Sequence, residues 1–121
     1  MNLLDTDVVI SLLRSRTYRM GAVSVVSLVE VLRGVDVGKR RRVKELLEES
    51  FEVVGLSNEV IEVYCDLYER LKGEGALVPD ADLLIAATAM SKNLAVETGD
   101  EHFKRLVQFG LRLAEPSQKT E

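Results

Sequence analysis

Short apolar runs alternate with longer stretches of helical periodicity along the whole chain. Residues 1–4 are mostly apolar and give way to Asp5-Thr6-Asp7, which predicts a buried strand turning into a helix from Thr6 to about Leu13. The polar segment Arg14–Arg19 closes that unit. Valine-rich Ala22–Val26 predicts a second strand, with Ser27 capping a short helix, Leu28–Arg33, that stops at Gly34. Val43, Leu46 and Leu47 give the charged segment Lys39–Glu49 a helical spacing. Phe51–Leu56 predicts a third strand, and Ser57–Lys72 the longest helix, with Val60, Tyr64, Leu67, Tyr68 and Leu71 as its apolar stripe and Gly73 as its end. Pro79 suits a first helical turn, and Asp80 or Asp82 is placed to cap it. From Leu83 to Met90 the only polar residue is Thr88, and a helix apolar on all sides is normally buried on all sides. Leu94–Val96 predicts a fourth strand, followed by Glu97-Thr98-Gly99-Asp100, a short helix to about Val107 and a weak fifth strand, Leu111–Ala114.

Strands alternating with helices predict the α/β class: a three-layer α/β/α sandwich on a parallel sheet of four to five strands. Residues 1–115 read as one domain and 116–121 as a frayed tail. Parallel strands joined by crossovers bring their C-terminal ends to one edge, where ligands of open α/β sheets bind.

Composition narrows this further. The chain has 121 residues, 46% of them hydrophobic, enough for one core without covalent staples. A single cysteine, Cys65, rules out an internal disulfide and points to a reducing compartment. We expect a cytoplasmic protein: the N-terminal residues lack a signal-peptide pattern, and no run approaches the ~18 apolar residues of a membrane span. The net charge of −4 argues mildly against binding nucleic acid through bulk charge.

Four acidic residues fall where strands end or helices begin. Asp5 follows the first strand, Glu30 lies in the first turn after the second, Asp82 heads the apolar helix and Asp100 follows the fourth strand. On a parallel sheet they can converge. Two unit charges ~5 Å apart repel by roughly 3 kcal/mol at an effective dielectric near 20. Several such pairs force protonation or recruit a cation, and hard oxygen donors select Mg²⁺ or Mn²⁺. The competing reading is helix capping. Ser27-Leu28-Val29-Glu30 and Thr98-Gly99-Asp100-Glu101 both match a capping box, and Asp5, Asp82 and Asp100 are each acceptable caps. Both roles can coexist, because a helix N-terminus favours a nearby carboxylate.

Four segments carry a resemblance: Leu3-Leu4-Asp5-Thr6-Asp7, Ser24–Gly34, Asp82-Leu83-Leu84-Ile85-Ala86-Ala87-Thr88-Ala89 and Thr98-Gly99-Asp100-Glu101-His102-Phe103. Together, and in this order, the chain resembles a PIN domain, and within that superfamily the VapC-type toxin ribonucleases. The resemblance covers nearly the whole chain. It implies a parallel sheet between helices, bound Mg²⁺ or Mn²⁺ and cleavage of single-stranded RNA. Asp5, Glu30, Asp82 and Asp100 fall on the family's acidic positions. The resemblance also implies a homodimer and an antitoxin protein as partner. On this reading Asp5, Asp82 and Asp100 hold one or two cations, Glu30 is a ligand or orients the attacking water, and Thr6, Ser27 and Thr98 hydrogen-bond the carboxylates. Some similar chains carry a further acid where this one has His102.

The remaining chemistry-bearing residues read more plainly. Lys39-Arg40-Arg41-Arg42 with Lys44 is either a phosphate-contacting run or a solvated helix face, and we take the second. His102, the only histidine, is expected at the surface of a short helix, and Cys65 in the core. Tyr64 and Tyr68 read as core or dimer contacts. Asp7 and Asp80 either assist the acidic site or cap helices. A receiver domain also has an acidic pocket at its strand ends, but it needs a phosphoacceptor Asp after the third strand, and Phe51–Ser57 has none. Two other readings keep the PIN fold: an RNA-processing nuclease outside any toxin system, and an inactive RNA- or protein-binding module.

Overall fold

Leu3 and Leu4 are both fully buried, and they belong to two different apolar clusters. Successive side chains of a strand point to opposite faces, so this two-residue strand is covered on both sides. The computed structural model describes residues 1–75 and 77–114. In chain order its elements are β1 (Leu3–Leu4), α1 (Thr6–Ser15), β2 (Ala22–Ser24), α2 (Val25–Leu32), α3 (Val37–Ser50), β3 (Glu52–Val54), α4 (Asn58–Gly73), α5 (Asp80–Ser91), β4 (Val96–Glu97) and a 3-10 helix, Glu101–Phe109.

The four strands are parallel, in the order β3-β2-β1-β4. Leu3, Ala22 and Val96 face the α4–α5 layer, where Leu67, Leu83, Ile85 and Phe103 complete one cluster. Leu4 and Val23 face the opposite layer, with Val9, Leu28, Val31 and Leu47. Each such leucine contributes about 1.5–3 kcal/mol on burial. The layered parallel architecture is the one the alternation of strands and helices predicts. The chain moves from β1 to β2 to β3 on one side and returns to β4 on the other. The crevice at the C-terminal end of β1 is therefore the switch point at which such sheets bind ligands.

Helix α5 is buried as its composition predicts: Leu83, Ile85, Ala86, Ala87, Thr88 and Ala89 are all at 0–1% exposure. The Thr88 hydroxyl is satisfied within the helix, donating to the Leu84 carbonyl at 2.8 Å. No long and apolar helix capable of crossing a membrane occurs among the described residues.

Several local expectations are corrected. β2 ends at Ser24, and Ser24, not Ser27, caps α2, accepting the Val26 N–H at 3.0 Å. Val25 and Val26 are helical despite their β-branching, because packing outweighs that small preference. β3 and β4 are shorter than expected or shifted, and α3 begins at Val37. The fifth strand reduces to one parallel bridge between Val96 and Leu113. Pro79 is the N-cap residue of α5, with no side-chain cap bond from Asp80 or Asp82. Cys65 is exposed rather than in the core, and Tyr68 is 49% exposed. The expected frayed tail, 116–121, lies outside the described residues.

Candidate active site

Asp5 ends β1 and is 3% exposed. It caps α1, its Oδ1 accepting the Thr6 N–H at 2.7 Å, while Oδ2 accepts the Thr98 hydroxyl at 2.7 Å. β4 delivers Thr98 there because Leu4 pairs with Glu97, and the Asp5 N–H donates to the Glu97 carbonyl at 3.0 Å. The Thr98 oxygen in turn accepts the Asp100 N–H at 2.9 Å. One hydroxyl thus ties the carboxylate after β1 to the backbone of the acid after β4.

Glu30 comes from α2. It does not lie in the first helical turn and closes no capping box with Ser27, because the helix starts three residues earlier than the sequence suggests. Instead Ser27 is buried, and its Oγ lies 2.9 Å from Thr6 Oγ1, which is 2.6 Å from Glu30 Oε1. A hydroxyl carries one proton. Thr6 gives its proton to the carboxylate, the shorter contact, and accepts one from Ser27. Arg33 Nη2 stands 3.8 Å from Glu30 Oε2 on a largely exposed side chain.

Asp82 comes from the first turn of α5, where the helix dipole favours a negative charge. Its Oδ2 lies 2.9 Å from His102 Nδ1, which is also 3.2 Å from Asp100 Oδ1. Asp100 caps the 3-10 helix, accepting the His102 N–H at 2.9 Å. His102 therefore sits at the site, where the sequence suggested an uninvolved surface position. The signal was its spacing: two residues after a capping acid, a side chain folds back over the cap.

Asp5, Glu30, Asp82 and Asp100 line one hollow of about 280 Å³, with Thr6, Asp7, Ile10 and Arg33. All four of the expected acids come together. Asp7 joins the rim, whereas Asp80 does not line the hollow and accepts the Tyr64 hydroxyl at 2.7 Å. A larger cleft of about 690 Å³ runs along Val53, Val54, Gly55 and Leu56, but these acids do not line it. The Lys39–Arg42 run is solvent-exposed on α3, and Lys44 pairs with Glu48.

Electrostatics follow from this crowding. Burial pushes the Asp5 carboxyl above the usual carboxylate range, against the hydrogen bonds from Thr98 and Thr6, and the charges of Asp82 and Asp7 add to the push. Burial also pushes Asp82 up; the hydrogen bond with His102 opposes this, and the charges of Asp100 and Glu30 reinforce it. Donor atoms of Asp82, Asp100 and His102 all lie within 4.8 Å of one another. Asp5 and Glu30 line the same hollow outside that trio, with Thr6 and Thr98 holding their oxygens. Clustered carboxylates that resist ionisation, faced by an exposed arginine and one imidazole, suit a small divalent cation.

Comparison with known proteins agrees with this geometry. The family model described as PIN domain matches residues 3–108. Ribonuclease VapC1 of Methanocaldococcus jannaschii is 38% identical over 115 residues, 92% of this chain and 85% of that protein. The solved structure of VapBC-1 from nontypeable Haemophilus influenzae superposes with a TM-score of 0.79 at 23% identity, covering 94% of this chain and 96% of that one. VapBC-5 from Mycobacterium tuberculosis, a member of the VapBC family of toxin-antitoxin systems, superposes with a TM-score of 0.68 at 25% identity, covering 87% and 89%. A matched family model over most of the chain, a relative of this identity and the shared fold lead to one conclusion: the chain belongs to the PIN domain family, in its VapC-type branch.

Proposed function

We propose that this protein is a divalent-metal-dependent endoribonuclease that cleaves single-stranded RNA in the cytoplasm, as the toxin of a toxin–antitoxin pair. The observation that carries the reading is the convergence of Asp5, Glu30, Asp82 and Asp100, from four distant segments, on one hollow. Its likeness to a protein named Ribonuclease VapC1 supports RNA as the substrate. The intact acidic set weighs against an inactive binding module.

In this reading Asp5, Asp82 and Asp100 hold the cation, with Glu30 as a further ligand or as the group that orients water. Mg²⁺ or Mn²⁺, when bound, supplies charge to offset that building on the phosphate, and lowers the pKa of water. The residues of the chain do the positioning. Thr6 fixes Glu30 through Oε1, and Oε2, which faces Arg33 at 3.8 Å, is the oxygen left to take a proton from the attacking water as the phosphorus–oxygen ester bond breaks. Thr98 and the Thr6 N–H fix both oxygens of Asp5. The exposed guanidinium of Arg33 at the rim is placed to meet a phosphate.

Two surfaces support the partners. A groove on α2 and α3, lined by Leu32, Val37, Arg40, Arg41, Lys44, Glu45 and Glu48, combines apolar groups with charges of both signs and suits an amphipathic antitoxin segment. On α4, Ile61, Cys65 and Tyr68 are exposed at helical spacing, which suits a homodimer contact. The decisive experiment is cleavage of single-stranded RNA by wild type and Asp5→Asn, with and without Mn²⁺ or Mg²⁺. Cleavage by wild type only with metal, and none by Asp5→Asn, is the expected result. Equal rates for both chains would refute the assignment.

A further inference from the structure

His102 is the chain's only histidine, and both its backbone and its ring are engaged at the acidic hollow. Its N–H is fixed on Asp100 Oδ1 at 2.9 Å, so the root of the side chain is held. Its Nδ1 lies 2.9 Å from Asp82 Oδ2 and 3.2 Å from Asp100 Oδ1. Donor atoms on neighbouring vertices of an octahedron with ~2.1 Å bonds stand ~3 Å apart. The imidazole already has that spacing from both carboxylates, and the donor atoms of all three side chains lie within 4.8 Å of one another, close enough to be gathered round one ion. The ring is 43% exposed, which leaves it open to ions from solvent. Ligation needs only the tautomer with its proton on Nε2 and the Nδ1 lone pair turned inward.

An imidazole in place of a further carboxylate changes the character of the site. It removes one negative charge and substitutes a nitrogen donor, which Mg²⁺ accepts poorly and first-row transition ions accept well. We propose that His102 is a nitrogen ligand to the divalent ion of this site and biases the site towards Mn²⁺ over Mg²⁺. The proposal rests on the metal-dependent reading above and deepens it: the residue that departs from an all-oxygen set determines which ion the enzyme prefers.

The test is pulsed electron paramagnetic resonance of the full chain loaded with Mn²⁺. Wild type should show nitrogen modulation from a directly bound imidazole, and His102→Asp should bind Mn²⁺ without it. Competition titrations of Mn²⁺ against Mg²⁺ should show the wild-type preference for Mn²⁺ falling by about tenfold in His102→Asp, which restores oxygen donors only. Bound Mn²⁺ without nitrogen modulation in wild type overturns the proposal and leaves the metal-dependent reading standing. So does an unchanged Mn²⁺/Mg²⁺ ratio in a folded His102→Asp. Failure of wild type to bind Mn²⁺ at all overturns both. If His102→Asp does not fold, the nitrogen signal of wild type decides alone.

Discussion

Thr98 Oγ1 donates to Asp5 Oδ2 at 2.7 Å across 93 residues of sequence. The same oxygen accepts the Asp100 N–H at 2.9 Å, so one side chain sets the relative position of two acids. Thr98→Val keeps the shape and removes both bonds. We expect a fall in RNA cleavage of roughly 10–100-fold, the usual range for groups that orient metal-binding carboxylates. An unchanged circular dichroism spectrum would establish that the fold survives. Full activity in the valine variant would show that the link is incidental.

Asp82 predicts a pH dependence with a definite sign. Its carboxyl is raised in the fold from the ordinary value of 3.8. Below 3.8 it is neutral whether the chain is folded or not, and it then costs nothing. As pH rises through the folded value, ionisation in the hollow is harder than in the unfolded chain, so stability is lost towards neutral pH. Asp82→Asn removes that loss. Without divalent ions its Tm at pH 7 should exceed that of wild type, and the two chains should melt alike at pH 3. Thermal melts across that range decide the matter, and a less stable variant at pH 7 would contradict the stated cause.

Gly21 sits where the chain enters β2, directly against β1. A Cβ there would lie 2.9 Å from Leu4 Cδ1 and 3.0 Å from Leu4 Cγ. Leu4 is completely buried, so its side chain has to shift against the close-packed neighbours of its cluster. Gly21→Ala should therefore destabilise the protein by about 1–3 kcal/mol. Denaturant unfolding reads this directly, and an unchanged midpoint would mean that the second core cluster is looser than its burial implies.

Tyr64 donates its hydroxyl to Asp80 Oδ1 at 2.7 Å, tying α4 to the start of α5. That bond, with burial and the Asp80 charge, pushes the phenol up from 10.0 to about 12. The Tyr64 phenol should thus titrate at about 12 when tyrosinate absorbance is followed against pH. Asp80→Ala should bring it back towards 10.0. Because the folded value is the higher one, the contribution to stability is complete below 10.0 and is lost as pH passes about 12.

The parallel layered architecture and the gathering of the four acids follow from features visible in a linear sequence, apolar runs of strand length and carboxylates placed after them, whereas the strand order does not. Local capping was less legible. Ser24 and Ser27 stand three residues apart on the same valine-rich segment, and the Ser27–Glu30 spacing suited a capping box. Only the buried contact between Ser27 and Thr6 decides between them, and it joins segments 21 residues apart. Helix α4 was ambiguous for another reason. Ile61, Cys65 and Tyr68 are spaced like the true inward positions Val60, Leu67 and Leu71, so periodicity alone left Cys65 and Tyr68 on the wrong side. The placement of His102 at the hollow was not legible because its ring meets Asp82, 20 residues earlier in the chain.

The pairing of β1 with β4 also bears on when the acidic hollow is assembled. A ribosome lays down Asp5 long before the strand that completes its surroundings, Val96–Glu97. A nascent chain that stalls before that point holds Asp5 without Thr98 and without Asp100, beside an open sheet edge. Synthesis itself thus delays the assembled hollow until β4 has emerged.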